Sequence, residues 1–303
     1  MTTSPPVGRL APTPSGKLHL GNACAFAAAW LSVRSQHGTL LLRFEDVDTT
    51  RARTAIEESQ RRDLEWLGLE WDREVTRQSE RDYQPALRQL GDRIYHCACT
   101  RASIRDAGGI HPDALCQKRG TTQGAIRYKV PPDQVSFTDR RWGVRHVTPN
   151  ALGDPVLRRR DGITAYPLAV VADDIADGVT EVVRGADLLD FSALQILLWR
   201  DLGATPPTWL HTPLILGGDG RKLSKSHGSL HIEAMREAGW SAADVWRQLL
   251  PLLGIVGPER LDEAIPFWLP TAGPLGPLQI THTPGTPCPT PDAGLLWQEV
   301  QSR

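Results

Sequence analysis

VGRLAPTPSGKLHLGNACAFAAAWLSVRSQHGTLLLRF, residues 7–44, decides the fold. Val7 to Leu10 reads as a short buried strand, followed by APTPSGK, a turn rich in Pro, Ser and Gly. An alanine-rich helix is expected from about Asn22, its N-cap, to His37, and Gly38 ends it. Thr39 to Phe44 (TLLLRF) is a second strand, with the apolar run of a parallel strand buried on both faces. Strand, helix, strand in this order makes a βαβ unit.

Working outward, Arg51 to Gly68 fits an amphipathic helix. Residues from about Ile94 to Gly120 break the rhythm with Cys, His and Gly, and Ile126 to Val147 holds strand-like pieces between turns. Alternation then resumes. Ala165 to Ala172 (AYPLAVVA) and Val179 to Arg184 read as strands, Ser192 to Gly203 as a helix, and His211 to Leu216 as a last strand before a Gly-rich loop. The expectation is an α/β protein with a doubly wound, Rossmann-type parallel sheet, split by an insertion and followed by a small helical C-terminal part. The divisions fall at 1–90 for the first half of the core, 91–152 for the insertion, 153–216 for the second half, 217–260 for the loop and a helical segment, and 261–303 for a Pro-rich tail. Thr281 to Pro291 is expected to stay loose, because Pro and Gly crowd it.

Composition narrows the class. Hydrophobic residues at 40% and charged residues at 23% are ordinary for a soluble globular chain. The longest apolar run, Ala23 to Leu31, is too short to span a bilayer, and MTTSPPVGRL lacks the pattern of a secretory signal. No membrane partner and a cytoplasmic location are therefore expected. A net charge of −1 does not advertise nucleic acid, although a local basic face would suffice to bind it. Arg158, Arg159, Arg160, Lys118, Arg119, Arg140 and Arg141 are candidates for such a face, and ordinary solvated arginines and lysines explain them equally well.

Two segments carry phosphate chemistry. PSGKLHLGN (Pro14 to Asn22) lies between a strand and a helix start, where free N–H groups and the helix dipole favour a phosphate. Gly16 and Gly21 permit close approach, and His19 can donate to a phosphate oxygen. GGDGRKLSKSHGS (Gly217 to Ser229) carries Lys222 and Lys225 on a loop that can close over a triphosphate. Either segment alone would equally be a plain connection or a solvated basic loop.

Together they resemble a known pair. HLGN looks like the HIGH motif and KLSKS like the KMSKS motif of the class I aminoacyl-tRNA synthetases. The flanks GRLAPTPSGKLHLGN, LLRFEDVDTTR (Leu41 to Arg51) and GDPVLRRRDGITAYPLAVVADDIADGVTEVVRGADLL (Gly153 to Leu189) resemble the glutamyl-tRNA synthetases over roughly residues 8 to 230. The glutaminyl enzymes usually read PPEPNG where this chain has LAPTPSG. The resemblance implies glutamate contacts at Arg9, Leu10, Ala11, Pro12, Thr13, Glu45, Tyr166 and Arg184, with Arg184 on the side-chain carboxylate. It implies ATP contacts at His19, Gly21, Asn22 and Lys225, and catalytic roles for His19, Lys222 and Lys225. The chemistry agrees, because a dicarboxylic amino acid wants two cationic groups and one anionic group, and arginine forks match carboxylates.

Three of the five cysteines, Cys97, Cys99 and Cys116, crowd the insertion, which in a reducing compartment points to metal more than disulfides. With a fourth ligand they can close a tetrahedral Zn²⁺ site; His111 and His96 are rivals for that place, and three reduced, packed cysteines are the alternative. IYHCACTRASIRDAGGIHPDALC resembles the zinc-bearing insertion of the glutamyl-Q tRNA(Asp) synthetases, in which a tyrosine often stands where this chain has His111, and the gap to Cys116 is one residue longer here. The resemblance implies a structural zinc held by Cys97, Cys99, His111 and Cys116. In the same family Val170 is expected where glutamyl-tRNA synthetases carry asparagine.

Glutamyl-tRNA synthetases continue well past the KMSKS loop into helical anticodon-reading domains; here the chain closes at Arg303 with a Pro-rich stretch. That plan resembles the glutamyl-Q tRNA(Asp) synthetases and implies a monomer that uses ATP with Mg²⁺, L-glutamate, and a queuosine-bearing tRNA(Asp). Charging of a tRNA 3′ end, a tRNA-binding protein without catalysis, and a small-molecule ligase of the same superfamily stand as alternatives.

Overall fold

The computed structural model describes residues 4–106, 108, 111, 115–223, 230–282 and 286–300. β1 (Val7–Leu10), α1 (Leu20–Arg34), β2 (Thr39–Leu42), α2 (Thr54–Trp66) and β3 (Arg73–Glu74) come first. α3 (Gln84–Leu90), β4 (Ile94–Cys97), α4 (Arg101–Asp106), α5 (Leu115–Lys118), β5 (Ala125–Tyr128), β6 (Val135–Asp139), β7 (Gly143–Val147) and β8 (Val156–Arg158) follow. Then α6 (Tyr166–Asp177), β9 (Glu181–Gly185), α7 (Phe191–Asp201), β10 (Thr208–Thr212) and β11 (Ile215–Leu216) restore the alternation. α8 (Ile232–Glu237), α9 (Ala242–Leu249), α10 (Leu261–Ala264), β12 (Leu278–Ile280) and β13 (Trp297–Glu299) complete the order.

β1, β2 and β3 pair in parallel, as do β9, β10 and β6; β7 joins β6 antiparallel. The two groups meet at β1 and β9, where Thr180 N–H donates to Val7 O at 2.9 Å. The chain leaves β1 toward β2 and leaves β9 toward β10, in opposite directions. The C-terminal ends of β1 and β9 therefore flank a topological switch point, the place where open α/β sheets bind ligands. β4, β5 and β8 form a separate antiparallel sheet. α1 is buried on nearly every side between the sheet and the C-terminal helices, which is why its sequence is so uniformly apolar. Among the described residues no helix is long and apolar enough to cross a membrane.

Several expectations need correction. α1 starts at Leu20 with His19, not Asn22, as its N-cap; Asn22 is the reciprocal partner of a capping box, three residues on. The helix stops at Arg34, and His37 turns to φ 54° before Gly38, where a Cβ would meet Pro6 O at 2.3 Å. Residues 165–172 are not a strand but the first two turns of α6. Pro167 sits in its first turn and Gly178 closes it in the left-handed region, φ 72°. The expected strand from His211 to Leu216 is two strands, β10 and β11. Thr281 to Pro291 has no helix or strand in its described residues, in keeping with the expectation, but strands flank it and Pro289 ties it to the fold. β12 pairs parallel with β11 and antiparallel with β13, Ile280 is fully buried, and Trp240 Nε1 donates to Pro289 O at 2.7 Å.

Candidate active site

At the switch point lies a cavity of about 410 Å³. Arg9, Ala11, Pro12, Thr13, His19, Asn22, Glu45, Tyr166, Arg184 and Lys222 all line it, so most residues singled out from the sequence converge. Leu10 does not; its side chain is fully buried in the core. Gly21 lines an adjoining recess with His19 and Lys222. Lys225, with Ser224 and Ser226, lies outside the described residues.

The helix start prepares the histidine. Asn22 N–H donates to His19 Nδ1 at 3.3 Å, and Asn22 Oδ1 accepts His19 N–H at 3.1 Å. An Nδ1 that accepts leaves the neutral ring's proton on Nε2, the atom that can donate to a phosphate oxygen. A Cβ at Gly21 would stand 3.0 Å from the His19 ring, so glycine keeps that approach open. Lys222 is tethered by an ion pair to Asp187.

The acid and the forks are held from behind. Arg43, fully buried, pairs with Asp174 at 2.6 Å, with Asp177 at 2.9 Å and with Glu45 at 3.6 Å. Burial opposes the Arg43 charge, but Asp174, Glu45 and Asp173 outweigh it and hold its pKa above the ordinary range. Arg9 Nε sits 3.2 Å from Asp174 Oδ1, and Arg9 Nη1 donates to Val183 O at 3.4 Å. Burial likewise raises the Asp174 carboxyl, yet Arg9 and Arg43 bring it below its usual value. For Glu45 burial is the larger influence, and its carboxyl is pushed up to about 7 against Arg43 and Arg9. Arg184 is wrapped by Ser192 (2.7 Å), His211 (3.1 Å) and Tyr166 (3.4 Å), with its guanidinium 5.0 Å from the Trp209 ring. Burial lowers the Arg184 pKa.

Arg43, Asp174, Ser192, Trp209 and His211 were missed from the sequence. A charge inside the apolar strand of Leu40 to Phe44, and paired aspartates at the end of LAVVADD, were the available signals, because a buried charge requires a partner. Two of the suggested tRNA contacts are engaged within the fold. Arg141 is buried and donates to Pro274 O at 2.7 Å, while Arg140 pairs with Glu181 at 2.5 Å and bonds Ser32 at 2.9 Å. Arg158 bonds Gln84, Arg159 pairs with Asp48 and Asp161, and exposed Arg160 donates to Ala98 O. Lys118 and Arg119 are exposed.

In the insertion the ligand atoms of Cys97, Cys99, His111 and Cys116 all lie within 4.8 Å of one another. Cys97 Sγ is 3.1 Å from His111 Nε2 and 3.7 Å from Cys116 Sγ, and Cys99 Sγ is 3.4 Å from Cys116 Sγ. These separations suit the edges of a tetrahedron with Zn–S near ~2.3 Å and Zn–N near ~2.0 Å. The rest of the imidazole is spoken for as a zinc ligand's should be. His111 Nδ1 meets Tyr95 Oη at 3.1 Å, and that hydroxyl donates to Asp154 at 2.6 Å. The donor set fits structural zinc, and His96 is not part of it.

Residues 7–262 match the model of the catalytic domain of class I tRNA synthetases (E and Q). The glutamyl-Q tRNA(Asp) synthetase of Nitratidesulfovibrio vulgaris is 42% identical over 280 residues, covering 82% of this chain and 86% of the relative. That of Symbiobacterium thermophilum is 38% identical over 307 residues, covering 90% and 95%. A crystal structure of a glutamate tRNA ligase from Elizabethkingia meningosepticum, in complex with its amino acid, superposes with a TM-score of 0.76 at 27% identity. That match covers 91% of this chain and 67% of the ligase. Motifs, switch-point cavity and relatives agree: the chain belongs to the class I tRNA synthetases of the E and Q family, a family of ligases.

Proposed function

We propose that this chain activates L-glutamate with ATP and transfers the glutamyl group to queuosine in the anticodon loop of tRNA(Asp). The observation that carries the reading is the joint placement of Arg9, Glu45, Tyr166 and Arg184 in one cavity with the His19 helix start. The names of the relatives from Nitratidesulfovibrio and Symbiobacterium supply the acceptor. In the first step the α-carboxylate of glutamate attacks the α-phosphorus of ATP in line and pyrophosphate leaves. Glu45 faces the ammonium and Arg184 the side-chain carboxylate. His19 and Lys225, with Lys222 in support, stabilise charge on the phosphates. Mg²⁺ accompanying the ATP would neutralise further phosphate charge. In the second step the mixed anhydride acylates a queuosine hydroxyl and AMP leaves. No covalent enzyme intermediate is required, and positioning with electrostatics supplies the rate.

The test is glutamate-dependent ATP–pyrophosphate exchange without tRNA, followed by glutamate transfer to tRNA(Asp) with and without queuosine. Exchange and queuosine-dependent transfer are expected. Equal transfer to tRNA lacking queuosine would shift the reading to 3′-end charging, and absence of exchange would leave a binding protein.

A further inference from the structure

We infer that His211, held by Asp139, is the positioning residue that fixes the Arg184 guanidinium for a carboxylate in the cavity. The inference rests on the reading of Arg184 as the holder of the substrate's side-chain carboxylate.

His211 stands directly opposite Arg184 in the β9–β10 ladder. It is fully buried and does not line the cavity, so it acts through its neighbour. Arg184 Nε lies 3.1 Å from His211 Nε2. A guanidinium is always a donor, so Nε2 must accept and the ring's proton must sit on Nδ1. Nδ1 lies 2.7 Å from Asp139 Oδ2, which accepts that proton's hydrogen bond. Asp139 is fixed in turn, because its Oδ1 accepts the backbone N–H groups of Arg141 and Trp142, each at 2.9 Å. The aspartate thus sets the tautomer, and the tautomer presents a lone pair to the arginine.

The remaining donors show what this achieves. Arg184 Nη2 is taken by Ser192 Oγ at 2.7 Å and Leu188 O at 3.3 Å, and Trp209 walls the guanidinium. Among the described residues Nη1 has only the longer contact to Tyr166, itself a cavity residue. Of the five N–H groups in the rigid fork, the one on Nε and the two on Nη2 are therefore committed along one edge, and the Nη1 side is turned toward the cavity. Without the Nε anchor the fork can rotate and lose its match to a carboxylate.

Asp139→Asn is the decisive variant. It keeps Oδ1 for the two backbone N–H groups but turns Oδ2 into a donor. The imidazole must then accept at Nδ1 and carry its proton on Nε2, facing the Arg184 N–H. Calorimetric binding of L-glutamate should weaken about tenfold, with ATP affinity changed less than about twofold. His211→Leu should weaken glutamate similarly, and His211→Gln, which retains an acceptor, should fall between it and the parent chain. Nitrogen NMR of histidine-labelled protein should show the His211 proton on Nδ1 in the parent chain and on Nε2 in Asp139→Asn. Parent-like glutamate affinity in Asp139→Asn and His211→Leu overturns the inference, as does an equal loss of ATP binding. Arg184→Lys separates the two readings. If it leaves glutamate affinity intact, the assignment of Arg184 is wrong; if it weakens glutamate while Asp139→Asn does not, only the positioning role fails.

Discussion

Arg43 and Glu45 leave β2 two residues apart, with opposite charges and different fates. Arg43 is sealed between aspartates, whereas Glu45 opens onto the cavity with Arg43 as a distant partner at 3.6 Å. That incomplete pairing is why burial prevails and raises the carboxyl to about 7. The sign of the consequence follows. An ammonium favours the ionised carboxylate, so binding lowers the Glu45 pKa and expels a proton when the pH is below about 7. Glutamate affinity should therefore rise as pH climbs through 7 and fall toward pH 6. Calorimetry in buffers of different ionisation enthalpy reads both the affinity and the proton. Glu45→Gln should bind glutamate more than about tenfold more weakly and lose the pH dependence; the same slope in that variant would sink the assignment. Arg9, Glu45 and Arg184 were legible in the sequence because each stands at the C-terminal end of a strand. Arg43 was not, because its partners Asp174 and Asp177 come from a helix far along the chain and leave no local mark.

At the scale of elements, the phosphate-facing helix start couples stability to chemistry. His19 caps α1 and also presents Nε2 to the recess beside Lys222. His19→Asn should keep the cap, since asparagine is among the best N-cap residues, and still lose adenylate formation. His19→Ala should lose both, with a stability cost of about 1 kcal/mol. Urea unfolding beside pyrophosphate exchange separates the two effects; full exchange in His19→Asn would reduce His19 to a cap. The β4–β5–β8 sheet makes a second test. Its Ile126, Tyr128 and Leu157 pack into the cluster of α6 and α7, but around the cysteines only Tyr95, Cys97 and Cys116 cluster, too little apolar surface to hold that corner unaided. Metal analysis should find about one zinc per chain, and Cys116→Ser should lose it and lower the melting temperature. A zinc-free chain with unchanged melting would dismiss the metal. Elements whose pattern agreed with their burial, α1, α2, β1 and β2, were readable from the sequence to within a few residues. α6 was not. Its run of Leu168 to Val171 is buried throughout, and a short apolar run of that kind fits strand or helix equally. The deciding signals were Pro167 at its start and Gly178 at its end.

For the whole molecule, the C-terminal stretch packs on the main core and grips the base of the lysine-bearing loop. Pro and Gly crowd its middle, Thr281 to Pro291, while on either side Leu278, Ile280 and Leu295 enter the main core. That core also takes Leu223 and Leu230, the residues flanking the lysine-bearing segment. The base of the loop is clasped directly. Gly218 N–H donates to His282 O at 3.2 Å, Gln279 Nε2 donates to Gly218 O at 3.1 Å, and β12 extends β11. A Cβ on Gly218 would meet His282 O at 2.3 Å, so glycine is what permits the clasp. Arg9 on β1, Arg184 on β9 and Glu45 just after β2 do not depend on it. Removing Pro277 to Arg303 should therefore lower the melting temperature and slow pyrophosphate exchange more than about tenfold, while glutamate affinity changes less than about threefold. If the shortened chain fails to fold, Gly218→Ala makes the same test locally, because its methyl group forces the two backbones apart at a cost of roughly 1–3 kcal/mol. Exchange at the parent rate in Gly218→Ala, or a loss of glutamate binding equal to the loss of rate, would show that the C-terminal strands do not hold the lysine loop in place.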